Sequence, residues 1–165
     1  MRESIGGAWL FGIVIVFIFL FAGFLAYSVS YAKAFSTKNK IISLIEESES
    51  YSVFNDTNGV DIRTATESQL DTSTEGKIFS YMRNIGYNYT ANINCDNDEI
   101  AKQGYCIKAI CHSVEDTQGY NGYYRVKTFM VFEIPILSLP VRIPISGETR
   151  ELKINIESNN CTNLN

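Results

Sequence analysis

The chain has a single histidine, His112, a single tryptophan, Trp9, and no charged side chain anywhere between Glu3 and Lys33. One imidazole leaves most metal and general-base chemistry short of groups. The Gly-rich phosphate loop, the dinucleotide fingerprint, H-E-x-x-H and G-x-S-x-G are all missing. Nothing therefore points to nucleotide, nicotinamide, zinc-protease or hydrolase chemistry. Positive charge is in deficit too: 14 Lys and Arg stand against 18 Asp and Glu, and beyond Lys33 the balance is 12 against 17. Nucleic-acid binding needs a concentrated positive field, so that class of partner is excluded. There is no internal repeat and no low-complexity tract. An enzyme is not expected, nor a cofactor, nor a resident metal.

The missing charge near the N-terminus is itself the strongest signal. Residues 8–26 read AWLFGIVIVFIFLFAGFLA, broken only by Gly12 and Gly23. As a helix, the charge-free run spans about 43 Å, enough for a hydrocarbon core of about 30 Å. Thirteen of the residues from 10 to 25 are Leu, Ile, Val or Phe, which favours insertion by about 4–8 kcal/mol. Trp9 at one end and Tyr27 and Tyr31 at the other stand where interfacial aromatics belong. A single transmembrane helix over 8–32 is expected. The competing reading is a cleaved secretory signal, for which Ala32-Lys33-Ala34 supplies a small-x-small site. Orientation draws on two opposed cues. Lys33, Lys38 and Lys40 against Arg2 point the following domain inward by the positive-inside rule. Four cysteines in that domain point it to the extracytoplasmic face, the placement expected here.

No Pro or Gly interrupts residues 24–51, so the helix is expected to run on as an amphipathic extension over 33–51. Tyr31, Phe35, Ile42 and Ile45 form its expected apolar stripe. A turn at 55–59 and a polar connector over 61–74 follow. Thr72-Ser-Thr-Glu75 reads as a capping box opening a short helix with Ile78, Met82 and Ile85 on one face and Gly86 as its stop. Beyond Gly86 the period changes to two. Expected strands cover 87–95, 105–114, 123–136 and 141–156, the last bent or split at Ser146-Gly147. Val126, Thr128, Met130, Phe132 and Ile134 share one face of the third, with Arg125, Lys127 and Glu133 on the other. Hairpin connections are expected at 118–122 and 137–140. The fold class is α+β: a transmembrane helix continuing into an amphipathic helix packed on a four-stranded antiparallel sheet, whose other face is wet. Domain organisation follows as 1–7, a short leader; 8–32, the membrane helix; 33–51, its extension; and 52–165, an extracytoplasmic α+β domain.

All four cysteines, Cys95, Cys106, Cys111 and Cys161, lie in that last domain. In a small domain outside a membrane they read as two disulfides. Cys106 and Cys111 are five residues apart on one strand and point to opposite faces, so they should not pair. Cys95 and Cys106 flank a ten-residue loop and are the preferred pair, which leaves Cys111 with Cys161. The close Cys pairs of a zinc site are missing. Asp96-Asn-Asp-Glu99 is acidic but lacks the spacing and central Gly of a calcium loop, so a solvated turn is expected.

A leader, Met1 to Ile5, precedes Gly6-Gly7, an uninterrupted apolar helix, an amphipathic half and a small cysteine-bearing antiparallel domain. This layout resembles the type IV pilin superfamily, and most of all the minor pilin-like proteins of tight-adherence (Tad) pilus systems. Phe132-Glu-Ile-Pro-Ile-Leu followed by Pro144-Ile-Ser-Gly-Glu-Thr is similar to bacterial proteins with the same kind of N-terminus. The resemblance implies a non-enzymatic minor pilin or pseudopilin subunit stored in the membrane. It also implies a prepilin peptidase cutting after Gly6 or Gly7. Its partners would be the lipid bilayer, other pilin-like subunits and a pilus assembly platform. The alternative is a single-pass, membrane-anchored extracellular binding or adhesion domain unrelated to pili.

Overall fold

The computed structural model describes residues 2–54, 61–87, 93–112, 120–134, 139–154 and 162–163. Helix α1, Arg2–Glu47, is a single run of 46 residues, one long and apolar enough to cross a membrane. With no proline along it, nothing removes a backbone donor or kinks the axis. It stops where Glu49 takes a left-handed φ of 55°. Arg150 closes that end from elsewhere in the chain. Its backbone N–H donates to Glu46 Oε1 at 2.7 Å and its guanidinium to the Glu46 carbonyl at 3.3 Å, a cation placed at the negative end of the helix dipole.

The aqueous half of α1 is buried along a different stripe from the one its aromatics suggest. Ala34, Thr37, Ile41, Leu44 and Ile45 are buried, whereas Tyr31 and Phe35 are 46% and 42% exposed and Ile42 is half-buried. Small residues win because they let a strand come close: Thr128 Oγ1 donates to the Ala34 carbonyl at 3.2 Å. Thr37, fully buried, satisfies its hydroxyl on its own helix by donating to the Lys33 carbonyl.

Helix α2, Glu67–Leu70, is a short turn within the expected polar connector. Thr66 N–H donates back to Gln69 Oε1, and Leu70 seals it into the core. Helix α3, Thr74–Asn84, begins one residue later than the expected box: Ser73 is the cap and accepts from Gly76 N–H at 3.1 Å. Glu75, freed from capping, accepts instead from Phe54 N–H and Lys102 Nζ. Ile78 and Met82 are buried and Ile85 half-buried, as expected, and Gly86 ends the helix with φ +64°.

The sheet runs β1–β2–β3–β4 in antiparallel order. Its strands are β1, Ile100–Ala101; β2, Tyr105–His112; β3, Tyr120–Ile134; and β4, Leu139–Glu148. Strand β5, Leu152–Ile154, also pairs with β3, and β6, Thr162–Asn163, pairs with β2 in parallel. The class is α+β with an antiparallel sheet, but its first strand is not where the sequence suggests. Of the expected strand 87–95, Tyr87 and residues 93–95 lie outside any strand and 88–92 lie outside the described residues, while Ile100–Ala101 pairs with β2 at that edge. Residues 120–122 belong to β3 rather than to a hairpin loop, and Leu139 and Pro140 open β4 rather than a connection. The long last strand breaks at Thr149, not at Ser146-Gly147. Gly147 stays in β4, paired with Val126, and its lack of a side chain leaves room for Lys38 and Ile42 of α1, on which a Cβ there would press. At the break, Thr149 Oγ1 accepts from Tyr124 N–H at 3.0 Å, filling the ladder position left between β4 and β5. Pro140 and Pro144 fit β4 because an outer strand needs no donors on its free side.

One core joins Ala34, Ile41 and Ile45 of α1, Ile78, Phe79 and Met82 of α3, and Tyr105, Ile107, Tyr124, Val126 and Met130 of the sheet. The opposite face is not simply wet. Cys106, Ile110 and Phe129 are buried there as well, where the segment around β1 is tethered by a disulfide.

Candidate functional site

The feature with most unassigned chemistry is the bare flank of α1. From Leu10 to Leu25 every Leu, Ile, Val and Phe is exposed. That amount of contiguous apolar surface far exceeds what a soluble monomer leaves open, and marks a lipid or protein partner. Aromatic contacts at one-turn spacing order this flank. Phe17 stacks on Phe21 with centroids 6.5 Å apart, Tyr27 on Tyr31 at 6.5 Å, and Tyr31 on Phe35 at 6.1 Å. Lys38 Nζ then lies 4.4 Å from the Phe35 ring centre, a cation on the negative face of the ring. Tyr31 and Phe35 of this row lie exposed beside the buried stripe, and Lys38 is half-buried. Gly7 sits exposed on the helix, where an added Cβ would meet nothing within 4 Å, and the same holds at Gly12. Gly6 lies on the same helical turn. Ala34, the last residue of the signal-like Ala32-Lys33-Ala34, is inside the folded core.

Where α1 leaves the apolar run, a cavity of about 160 Å³ opens between Ser30, Lys33, Gly86, Tyr87, Phe129 and Val131. Tyr87 is fully engaged behind it. Its hydroxyl accepts from Phe129 N–H at 2.9 Å and lies 2.8 Å from the Phe129 carbonyl and 3.1 Å from that of Gly104. Burial pushes its phenol up to about 12.

The described cysteines are partnered. Cys95 and Cys106 form a disulfide with Cα atoms 5.8 Å apart, the pair expected from the loop between them. Cys111 is buried and is not a free thiol, while Cys161 lies outside the described residues. Strand β6 starts beside Cys161 and registers Thr162 with Ile110 and Asn163 with Cys111. Cys95, Glu99 and Cys106 bring ligand-type atoms within 4.8 Å of one another. With both sulfurs in a disulfide, no thiolate remains to hold a metal.

The acidic loop is neutralised from within. Lys127 Nζ reaches Asp96 Oδ2 at 2.7 Å and Glu99 Oε1 at 2.8 Å, and Lys108 reaches Asp98 at 3.4 Å. The ammonium stands where a cation would otherwise sit. A hydrogen bond from Lys127, then its charge, holds the Asp96 carboxyl below its ordinary range. Burial works against the Lys127 charge, but its hydrogen bonds to Asp96 and Glu99 outweigh it and raise that group. His112 is exposed at the end of β2 and packs obliquely against Tyr123 at 6.1 Å. Among the described residues it gathers no nucleophile or carboxylate.

One cluster escaped sequence reasoning. Tyr51 and Tyr105 share a buried hydroxyl–hydroxyl hydrogen bond of 2.9 Å. Glu75 and Lys102 pair beside them at 3.1 Å, and Lys102 lies 5.8 Å from the Tyr51 ring centre. Burial first, then the Glu75 and neighbouring tyrosine charges, pushes the Tyr51 phenol far up, and burial does the same to Tyr105. Both stay neutral and act as structural donors and acceptors. No protein family, curated protein or solved structure matches the chain.

Proposed function

We propose that the chain is a non-enzymatic pilin-like subunit, a minor pilin or pseudopilin, held in the cell membrane by 8–32 with its C-terminal domain on the extracytoplasmic face. The observation that carries the reading is the undivided α1. One helix presents a bare apolar flank over its first half and enters a folded core over its second. Such a helix can be stored in lipid and later exchange lipid for the apolar helices of other subunits, with the folded domain carried unchanged at its end. In this reading the second half of α1 is laid along β3 and β4, which the contacts of Ala34 with Thr128 and of Lys38 and Ile42 with Gly147 support. The Cys95–Cys106 disulfide supports the oxidising side of the membrane against the lysine count. Removal of the helix at Ala34 as a secretory signal would strip Ala34 and its turn from the core, which argues for a retained helix.

The partners are the bilayer, other pilin-like subunits, an assembly platform and a prepilin peptidase acting at Gly6 or Gly7. Mass spectrometry of the native N-terminal peptide tests this, together with copurification on sheared filaments. A mature end just after Gly6 or Gly7 is expected. An untrimmed Met1-Arg2-Glu3 end without filament association would overturn it. That result would leave the second reading, a membrane-anchored binding or adhesion domain. One observation favours the second reading: five residues past either cut stands Phe11 or Gly12, where pilins carry a glutamate.

A further inference from the structure

The contacts between α1 and the sheet advance in step along both elements. Glu46 meets Arg150, beside Tyr124; Lys38 and Ile42 meet Gly147, the register partner of Val126; Ala34 meets Thr128; and Ser30 and Lys33 share a cavity with Phe129 and Val131. From Glu46 back to Lys33 the helix covers about 20 Å. From Tyr124 to Val131 the strand covers about 23 Å. The two therefore run nearly antiparallel, and β3 climbs α1 toward its apolar half. Residues Ile134 and Leu139, which pair in register, lie three positions beyond Val131 and Arg142. That is about 10 Å of strand, or about seven residues of helix, which brings them to the level of Phe24, inside the charge-free run.

We infer that the far end of the β3–β4 hairpin, residue 134 with residues 139–141, is a second membrane contact, seated at the headgroup–acyl boundary of the leaflet from which α1 emerges. The inference rests on α1 spanning the bilayer. Three features of the chain fit that place. Residues 134–141 carry no charge. Lys33 and Arg142 stand together at the level just outside: Lys33 shares its cavity with Val131, and Arg142 is the register partner of Val131. Two basic groups there suit the phosphate layer, and Tyr27 and Tyr31 on α1 suit the same belt. Pro140 stands in β4 at this end. On an outer strand next to lipid, it removes a donor that water would not be there to satisfy. The bilayer is the occupant favoured over a second copy of the chain, because the hairpin end is level with the lipid-exposed flank of its own helix.

The test uses the unmodified full chain in phosphatidylcholine–phosphatidylglycerol vesicles containing a phospholipid with a diazirine on its acyl chain. After photolysis, reduction and trypsin, label is expected in two peptides, 3–33 and 128–142, and not in the distal peptide 64–77. Leu139→Glu should lower labelling of 128–142 by about fivefold, the ratio set by a charge at the interface, and leave 3–33 unchanged. Label in 3–33 alone would overturn the inference while α1 still spans the membrane. Label in neither would overturn both. Labelling of 128–142 that ignores Leu139→Glu, or its replacement by cross-links between copies, would also overturn it.

Discussion

Removing the hydroxyl of Tyr51 should cost more than the hydrogen bond itself. Tyr51 and Tyr105 are 2% and 1% exposed, and their oxygens lie 2.9 Å apart. A neutral hydrogen bond contributes a net of about 1 kcal/mol, but a buried hydroxyl left without its partner loses about 1–3 kcal/mol. Tyr51→Phe strands the Tyr105 oxygen, and Tyr105→Phe strands that of Tyr51, so each should destabilise by about 1–3 kcal/mol. The double variant removes both polar ends from one apolar site and should cost clearly less than the sum. The coupling energy is expected near 1–2 kcal/mol, within the range for residues in direct contact. Urea titration of the full chain in mild detergent, followed by near-ultraviolet circular dichroism, reads the folded domain. With a slope of about 1–3 kcal/mol per molar urea, each single variant should lower the midpoint by about 1 M. Additive single and double variants would refute the coupling and with it the paired burial of the two phenols.

Four further outcomes are expected. Alkylating the denatured, unreduced protein should label none of the four cysteines. Reduction of Cys95–Cys106 should destabilise the domain by about 3 kcal/mol for a loop of this length, and ready alkylation of Cys95 would contradict both. Asp96, held low by Lys127, stabilises fully above its unfolded value of about 4. That contribution fades as the pH falls through the lower folded value, so Lys127→Met should flatten the acid limb of a stability–pH curve; an unchanged limb would show the ion pair to be inert. Gly76→Ala should destabilise by about 1–3 kcal/mol in a thermal melt, because the new methyl meets the Leu70 backbone at the α2–α3 junction, more than the gain in helix propensity offsets. A raised melting temperature would show that the junction yields to the methyl.

The apolar helix, α3, β2, β3 and the Cys95–Cys106 pair were legible because each rests on a local pattern: an absence of charge, a period, or a loop length. The buried stripe of α1 was not. Aromatic residues at 31 and 35 outweigh Ala34 and Thr37 on any hydrophobicity count, yet close approach of a strand selects for small side chains, and only the partner reveals it. The same holds for Thr72-Ser-Thr-Glu75. Both Thr72 and Ser73 are good caps, and what moves the start to Ser73 is the demand for Glu75 elsewhere, from Phe54 N–H and Lys102. Residues 87–95 have alternating apolar character, but at their described ends Tyr87 commits its side chain to Phe129 and Cys95 to Cys106, and Ile100–Ala101 pairs with the edge of β2. Of the candidate site residues, Cys95 and Cys106 form the pair that spacing foretold. Gly6 and Gly7 could be read only by resemblance, since a site meant for another protein's protease would leave no packing in this one.

A single helix meets two different demands, and the order of its faces follows from that. Along 34–45 it needs one narrow stripe of small and branched residues to lie close on a strand. Along 9–25 it needs apolar side chains all round. Because α1 has no proline and no break between these halves, the rotation fixed by Ala34, Ile41 and Ile45 also fixes how the apolar half is turned relative to the folded domain. Tyr31 and Phe35 lie exposed beside the buried stripe, whereas Lys38 turns in toward Gly147. The core at Ala34 thus orients the apolar half as well as anchoring the domain. Substituting a large residue at Ala34 would disturb both at once, whereas changing Tyr31 or Phe35 would leave the fold intact and alter only what the helix can meet.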